Sequence, residues 1–199
     1  MRPLEEDPRI TRRTAIATAV ASALIPVAAI RCAAQNPNQP RALTAAQRRT
    51  TEMLVDTIIP ADELGPGALD CGAANYIDIQ LADYLAPEKD AWVAGLNALD
   101  AFAMETQGAA FANLPADKRD AVLLAIAGNA GAPNLQTFFN AARTYTMQGT
   151  FGDPHYGGNT GGKGWDIIRY PGPRPVTSPD MQRMDQAAEP VRRSAWGNE

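Results

Sequence analysis

The sequence predicts a mainly α-helical protein: a small domain of about five helices, a long ordered glycine- and aromatic-rich loop near the C-terminus, and little or no sheet. Three observations predict it. Apolar residues recur at helical spacing in five segments between residues 44 and 148. No alternating run of strand type precedes Trp165. Residues 149–173, GTFGDPHYGGNTGGKGWDIIRYPGP, hold eight glycines and three prolines beside Phe151, Tyr156, Trp165, Ile167, Ile168 and Tyr170. A flexible linker lacks such large apolar groups. Glycine alternating with aromatics points to a tightly constrained backbone whose rings are buried against something.

A chain of 199 residues with 45% hydrophobic content suits one domain with a core. The net charge of −4 and the absence of a Lys/Arg cluster argue against a nucleic-acid surface.

Thr11-Arg12-Arg13 opens an uncharged run over 15–30. A basic start before a short apolar stretch is the form of a secretory signal, and paired arginines fit the twin-arginine type. The 16 residues fall short of the roughly 20 needed to span a bilayer. Ala34 and Cys32 place small residues for a cut before Gln35, which assigns 1–34 to a signal peptide. Arg31 before Cys32 excludes lipid attachment. Removing 1–34 takes away five Arg and three acids and leaves 13 basic against 19 acidic side chains, so the exported protein is mildly acidic.

A linker over 35–43 leads to Thr44, which with Gln47 forms a capping box opening a helix over 44–59. Leu54, Val55, Ile58 and Ile59 are its apolar face, and Pro60 ends it. The turn-rich stretch that follows carries Asp62, Glu63 and Asp70, a solvated acidic turn without the ladder of a calcium loop. A second helix, 75–86, presents Ile77, Leu81, Tyr84 and Leu85. A third, 88–107, presents Trp92, Leu96, Leu99 and Ala103 beside Val93 and Phe102. Pro115 at the first helical position starts a fourth, with Val122, Leu123 and Ile126 inward and Gly128 as its stop. A fifth, 134–148, uses Leu135, Phe138, Phe139, Ala142 and Tyr145 and is capped by Gly149. The helical domain is therefore 44–149, followed by a non-helical loop over 150–175. The tail over 176–199 is partly disordered in this reading, with Ser178-Pro179-Asp180 as a short helix start.

The stretch Gly157 to Gly164 matches GxxxxGK of a phosphate loop. Gly164 stands where a Ser/Thr hydroxyl is needed, and no strand–helix frame surrounds it. His155, the one histidine, is read as a loop residue hydrogen-bonded locally rather than as a base or metal ligand. No GxGxxG fingerprint after a strand and no CxxCH motif is present. Cys71 is odd if the signal is cut. Three states fit: an intermolecular disulfide, a buried free thiol, or a pair with Cys32 in an uncut chain.

The pattern G-x-F-G-D-P-x-Y-G-G-N at 149–159, followed by G-W-D-I-I-x-Y-P-G-P at 164–173, resembles the signature of the gluconate 2-dehydrogenase subunit 3 family. A second block, I-I-P-A-D-E-x-G-P-G-A at 58–68, followed by Tyr76, Ile77 and Asp78, agrees with it in the same order. These are the small subunits of membrane-bound, FAD-dependent sugar and polyol dehydrogenases. The resemblance implies a non-catalytic chain without a cofactor of its own. Its partners would be a large GMC-type flavoprotein holding FAD and a multihaem cytochrome c passing electrons to quinone. It also implies export of the pair to the periplasm through Arg12 and Arg13 by the twin-arginine translocase. Docking then falls to Phe151, Asp153, Pro154, Tyr156, Gly157, Gly158, Asn159, Trp165, Ile168 and Tyr170, with Cys71 as a candidate intersubunit disulfide. Rival readings are a small enzyme built on His155 and an independent periplasmic helical binding protein.

Overall fold

Thr44 closes the first helix as its sequence requires: its hydroxyl accepts the Gln47 amide at 3.3 Å while the Gln47 side chain accepts the Thr44 amide at 2.9 Å. This is the start of the described part of a computed structural model, which covers residues 41–129, 133–174, 178–182, 185 and 189–197, all within a unit beginning at Pro37. Arg12, Arg13 and Cys32 lie outside the described residues.

Six α-helices occur among the described residues: α1 (Ala45–Ile58), α2 (Ala73–Gln80), α3 (Lys89–Gln107), α4 (Ala116–Ala127), α5 (Pro133–Phe151) and the short α6 (Lys163–Ile167). No β-strand is present among them; there are only two isolated bridges, each closing a tight turn. Helix α5 is the central element and packs against each of α1, α2, α3 and α4. The core joins Leu54 and Val55 of α1, Ile77 of α2, Trp92, Leu96 and Leu99 of α3, and Val122 and Ile126 of α4 to Leu135, Phe138 and Ala142 of α5. Trp92 meets the Phe138 ring edge-on at 5.1 Å, the geometry that aromatic quadrupoles favour.

Helix α2 departs from its sequence pattern. It starts two residues early, behind Gly72, and ends at Gln80. The chain then turns, and a 3₁₀ segment containing Pro87 leads into α3. From Ala82 the amides bond three residues back, Ala82 to Ile79 O at 2.9 Å and Asp83 to Gln80 O at 3.1 Å, so the α-helical ladder is left well before Pro87 and the apolar periodicity over 75–86 overstates the helix. Tyr84, placed by that periodicity on the apolar face, is 82% exposed. Pro115 is the residue before α4, not its first residue.

Gly149 does not cap α5. The helix continues through it to Phe151, because Gly149 is the point at which α5 crosses α2: a Cβ there would lie 2.8 Å from the Ala73 Cα.

A buried carboxylate ties the chain's entry to α2. Asp78, 1% exposed, accepts the amides of Ala42 and Leu43, both at 2.9 Å, and pairs with Arg48 at 3.0 Å and Arg41 at 3.4 Å. A buried charge persists only when paired and hydrogen-bonded, and Asp78 has both.

Candidate docking surface

Residues 149–174 do not form a free loop. After α5 ends they make a 3₁₀ turn (Pro154–Tyr156), a second 3₁₀ turn (Thr160–Gly162) and α6. The whole is folded down on the chain's own helices. Asn159 is its hub: fully buried and in the left-handed region at φ 41, which asparagine tolerates better than most side chains. Its amide donates to Gly149 O at 2.7 Å, its Nδ2 to Gly152 O at 2.8 Å, and its Oδ1 accepts the Gly164 amide at 2.8 Å. The end of α5 is thus stitched to the start of α6.

The glycine at 164 is required by this stitching, since a Cβ there would sit 1.8 Å from Thr150 O. Further bonds fasten the segment to α2 and to the loop before it. Asn75 Nδ2 donates to Gly157 O at 2.6 Å, the Thr160 amide to Cys71 O at 2.9 Å and Lys163 Nζ to Asp70 O at 3.3 Å.

Trp165 corrects the expectation that it faces a partner. It is 4% exposed, donates its indole N–H to Phe151 O at 2.9 Å and lies edge-on to Tyr170 at 5.3 Å. Gly158 and Asn159 are also buried within this chain, while Phe151, Asp153, Pro154 and Gly157 are half-buried. Of the ten docking candidates, Tyr156, Ile168 and Tyr170 present substantial surface outward. Leu64, at the tip of the acidic turn, is also exposed. The turn's Gly65 lies close to Ile167, so this tip stands beside α6.

Four backbone amides of the GxxxxGK stretch are already engaged. Those of Asn159, Thr160, Gly162 and Gly164 donate to acceptors within the chain, so the GxxxxGK match is a coincidence of composition. Asp153 likewise serves structure. Its carboxylate accepts the His155 amide at 3.0 Å and the Ala195 amide at 2.8 Å. Burial alone would raise its pKa, but these two amides together with the Ser194 hydroxyl outweigh burial and hold it below the usual carboxylate range. The His155 ring lies between Tyr156 and Trp196, with centroids at 5.2 and 5.8 Å.

Cys71 is fully buried, so its thiol is not presented to a partner for a disulfide. Burial pushes its pKa up to about 11; Lys163 opposes the shift and Asp70 and Asp166 add to it. No group of three or more His, Cys, Asp or Glu side chains suited to a metal ion occurs among the described residues.

The segment and the helices that carry it coincide with a known pattern. The family profile described as Gluconate 2-dehydrogenase subunit 3 matches residues 45–172, from the first residue of α1 to Gly172. The chain belongs to the gluconate 2-dehydrogenase subunit 3 family. No match was found among curated proteins or among solved structures.

The subunit 3 profile therefore covers all six helices and nearly all of the folded segment, ending five residues after α6. No helix among the described residues is long and apolar enough to cross a membrane. The sequence motifs of 149–173 are mostly positions of internal packing, while the large apolar side chains that face outward are Tyr156, Ile168 and Tyr170. Reasoning from sequence named Asp78 within the family pattern without giving it a role, and it passed over Asn75. A carboxylate between Ile77 and Ile79 was the available signal for the role of Asp78. Nothing local marks Asn75.

Proposed function

We propose that this subunit 3 chain is a non-catalytic component of an exported dehydrogenase, docking on an FAD-dependent, GMC-type catalytic subunit through the outward face of 149–174. The observation that carries this reading is the family match over 45–172, joined to a segment whose exposed Tyr156, Ile168 and Tyr170 stand on a rigidly hydrogen-bonded base. A preordered surface binds without first losing the entropy of an unfolded loop. The family match favours a subunit over an independent binding protein. Asp153, two residues before His155, accepts two backbone amides, which supports a structural role for this turn over acid–base work.

In this reading the substrate, a sugar, sugar acid or polyol, is bound by the catalytic subunit, which also holds FAD. A multihaem cytochrome c subunit accepts the electrons. The paired Arg12 and Arg13 direct the folded assembly through the twin-arginine translocase to the periplasm, and the membrane is reached through a partner.

The test is co-expression of the full-length chain with the FAD-dependent catalytic subunit from the same source. Ile168→Asp together with Tyr170→Ala is expected to separate the two on size exclusion while the subunit keeps its helical spectrum. A variant that retains the flavoprotein in full would refute docking through this face. Replacing Arg12 and Arg13 by lysine is expected to hold both proteins in the cytoplasm, and active flavoprotein in the periplasm would refute shared export.

A further inference from the structure

Residues 189–197 lie beyond the span that matches the family, yet they are laid back across it. The Val191 amide donates to Pro171 O at 2.6 Å. The Arg192 guanidinium donates to Gly162 O at 3.1 Å and pairs with the Asp166 carboxylate. The Ala195 amide donates to the Asp153 carboxylate at 2.8 Å. These contacts are spread from one end of the folded segment to the other and fix the path of the strap. Chain ends fray unless tied down, and this stretch is tied at three points.

The fastening ends in a turn that serves one side chain. The Gly197 amide donates to Ser194 O at 3.2 Å and the Trp196 amide to Ser194 Oγ at 3.0 Å. This turn sets the indole over the His155 ring, 5.8 Å between centroids and tilted by 34°, and His155 in turn meets Tyr156 edge-on. Trp196 is nevertheless 67% exposed. An indole in water adds little to the stability of its own chain, because its contribution comes from the area it buries. Held in a fixed place beside a second exposed ring, it has the properties of an interface anchor: large, amphipathic and already ordered.

We propose that the strap completes the docking face, and that Trp196 and Tyr156 together enter an apolar hollow on the FAD-dependent catalytic subunit. This rests on the docking reading above, which assigns that subunit to the segment. The strap is bonded at Pro171, the neighbour of Tyr170, and ends at His155 and Tyr156, so it links the two parts of the segment that carry exposed aromatic side chains. The hollow must be wide enough for both rings and the His155 ring between them, apolar at its floor, with polar groups at its rim to meet the imidazole and the phenol hydroxyl of Tyr156. The strap lies outside the residues that the family profile matches.

The experiment uses the full-length chain with its FAD-dependent catalytic subunit and compares Trp196→Ala, Trp196→Phe and Ile168→Asp. The readouts are the thermal midpoint of the subunit alone and its affinity for the flavoprotein. Trp196→Ala is expected to leave the midpoint unchanged and to weaken binding about tenfold, the scale of an interface anchor. Trp196→Phe is expected to recover most of that loss. Wild-type affinity in Trp196→Ala, with binding lost in Ile168→Asp, would overturn the strap proposal and leave the docking reading standing. Wild-type affinity in both variants would remove the docking reading as well. A lowered midpoint in Trp196→Ala would assign the indole to internal packing. A homodimer of the free chain that Trp196→Ala disperses would assign the patch to self-association. Either of these last results overturns the proposal.

Discussion

The side-chain oxygen of Asn159 accepts the amide of Gly164 at 2.8 Å, and this one bond joins the residue that ends the first half of the C-terminal segment to the helix that forms its second half. The backbone amide of Asn159 reaches back to Gly149 and its Nδ2 to Gly152, so one buried residue holds three points of the backbone together, two of them through its side chain.

Asn159→Ala is therefore expected to lower the stability of the isolated subunit by about 2–4 kcal/mol, since two buried backbone partners lose their side-chain bonds. Gly164→Ala is expected to cost at least about 1–3 kcal/mol through overpacking against Thr150. Chemical denaturation of both variants checks this. A change below the measurement error in either would show that the segment folds without the stitch.

Trp165 gives a prediction opposite to the one its sequence context suggests. Its burial in this chain makes Trp165→Ala cost about 3–5 kcal/mol in the subunit alone, before any partner is added. Thermal unfolding of the free subunit decides it. An unchanged midpoint would mean that the indole is not part of this chain's packing.

Asp78 links the entry segment, residues 41–44, to α2. Asp78→Ala leaves two arginines and two amides without their acceptor and is expected to cost about 3–5 kcal/mol. Hydrogen exchange should show the Ala42 and Leu43 amides opening first. If they stay protected while global stability falls, the carboxylate acts on α2 and not on the entry segment.

Cys71 yields a pH-dependent expectation. Its pKa is raised in the folded state from the ordinary 9.0 to about 11, so the fold favours the neutral thiol. The stabilisation from this group is fully present below about pH 9 and is lost as pH rises toward 11. Alkylation by iodoacetamide at pH 8 should be slow in the native subunit and fast in urea, and non-reducing electrophoresis of the complex should show no covalent species through Cys71. Equal rates in native and unfolded protein would place the thiol at the surface.

What the sequence determined by itself were the features set by neighbours within a turn or two. The Thr44–Gln47 capping box, the stripe of Trp92, Leu96, Leu99 and Ala103, and the stop at Gly128 depend on spacing, and spacing is legible in one dimension. The motifs at 58–68 and 149–173 likewise sufficed to indicate the family. The tertiary structure alone decided which way the segment's aromatics face. Glycine permits close approach to any backbone, and only the crossing of α5 with α2 and the position of Thr150 make the approached surface the chain's own. The same holds for Asp78, whose partners at 41–48 lie 30 or more residues away, and for Trp196, which meets His155 only because Asp153 holds the strap. Contacts between residues distant in sequence carry no local signature, because what selects them is the geometry of packed helices and not the propensity of any one segment.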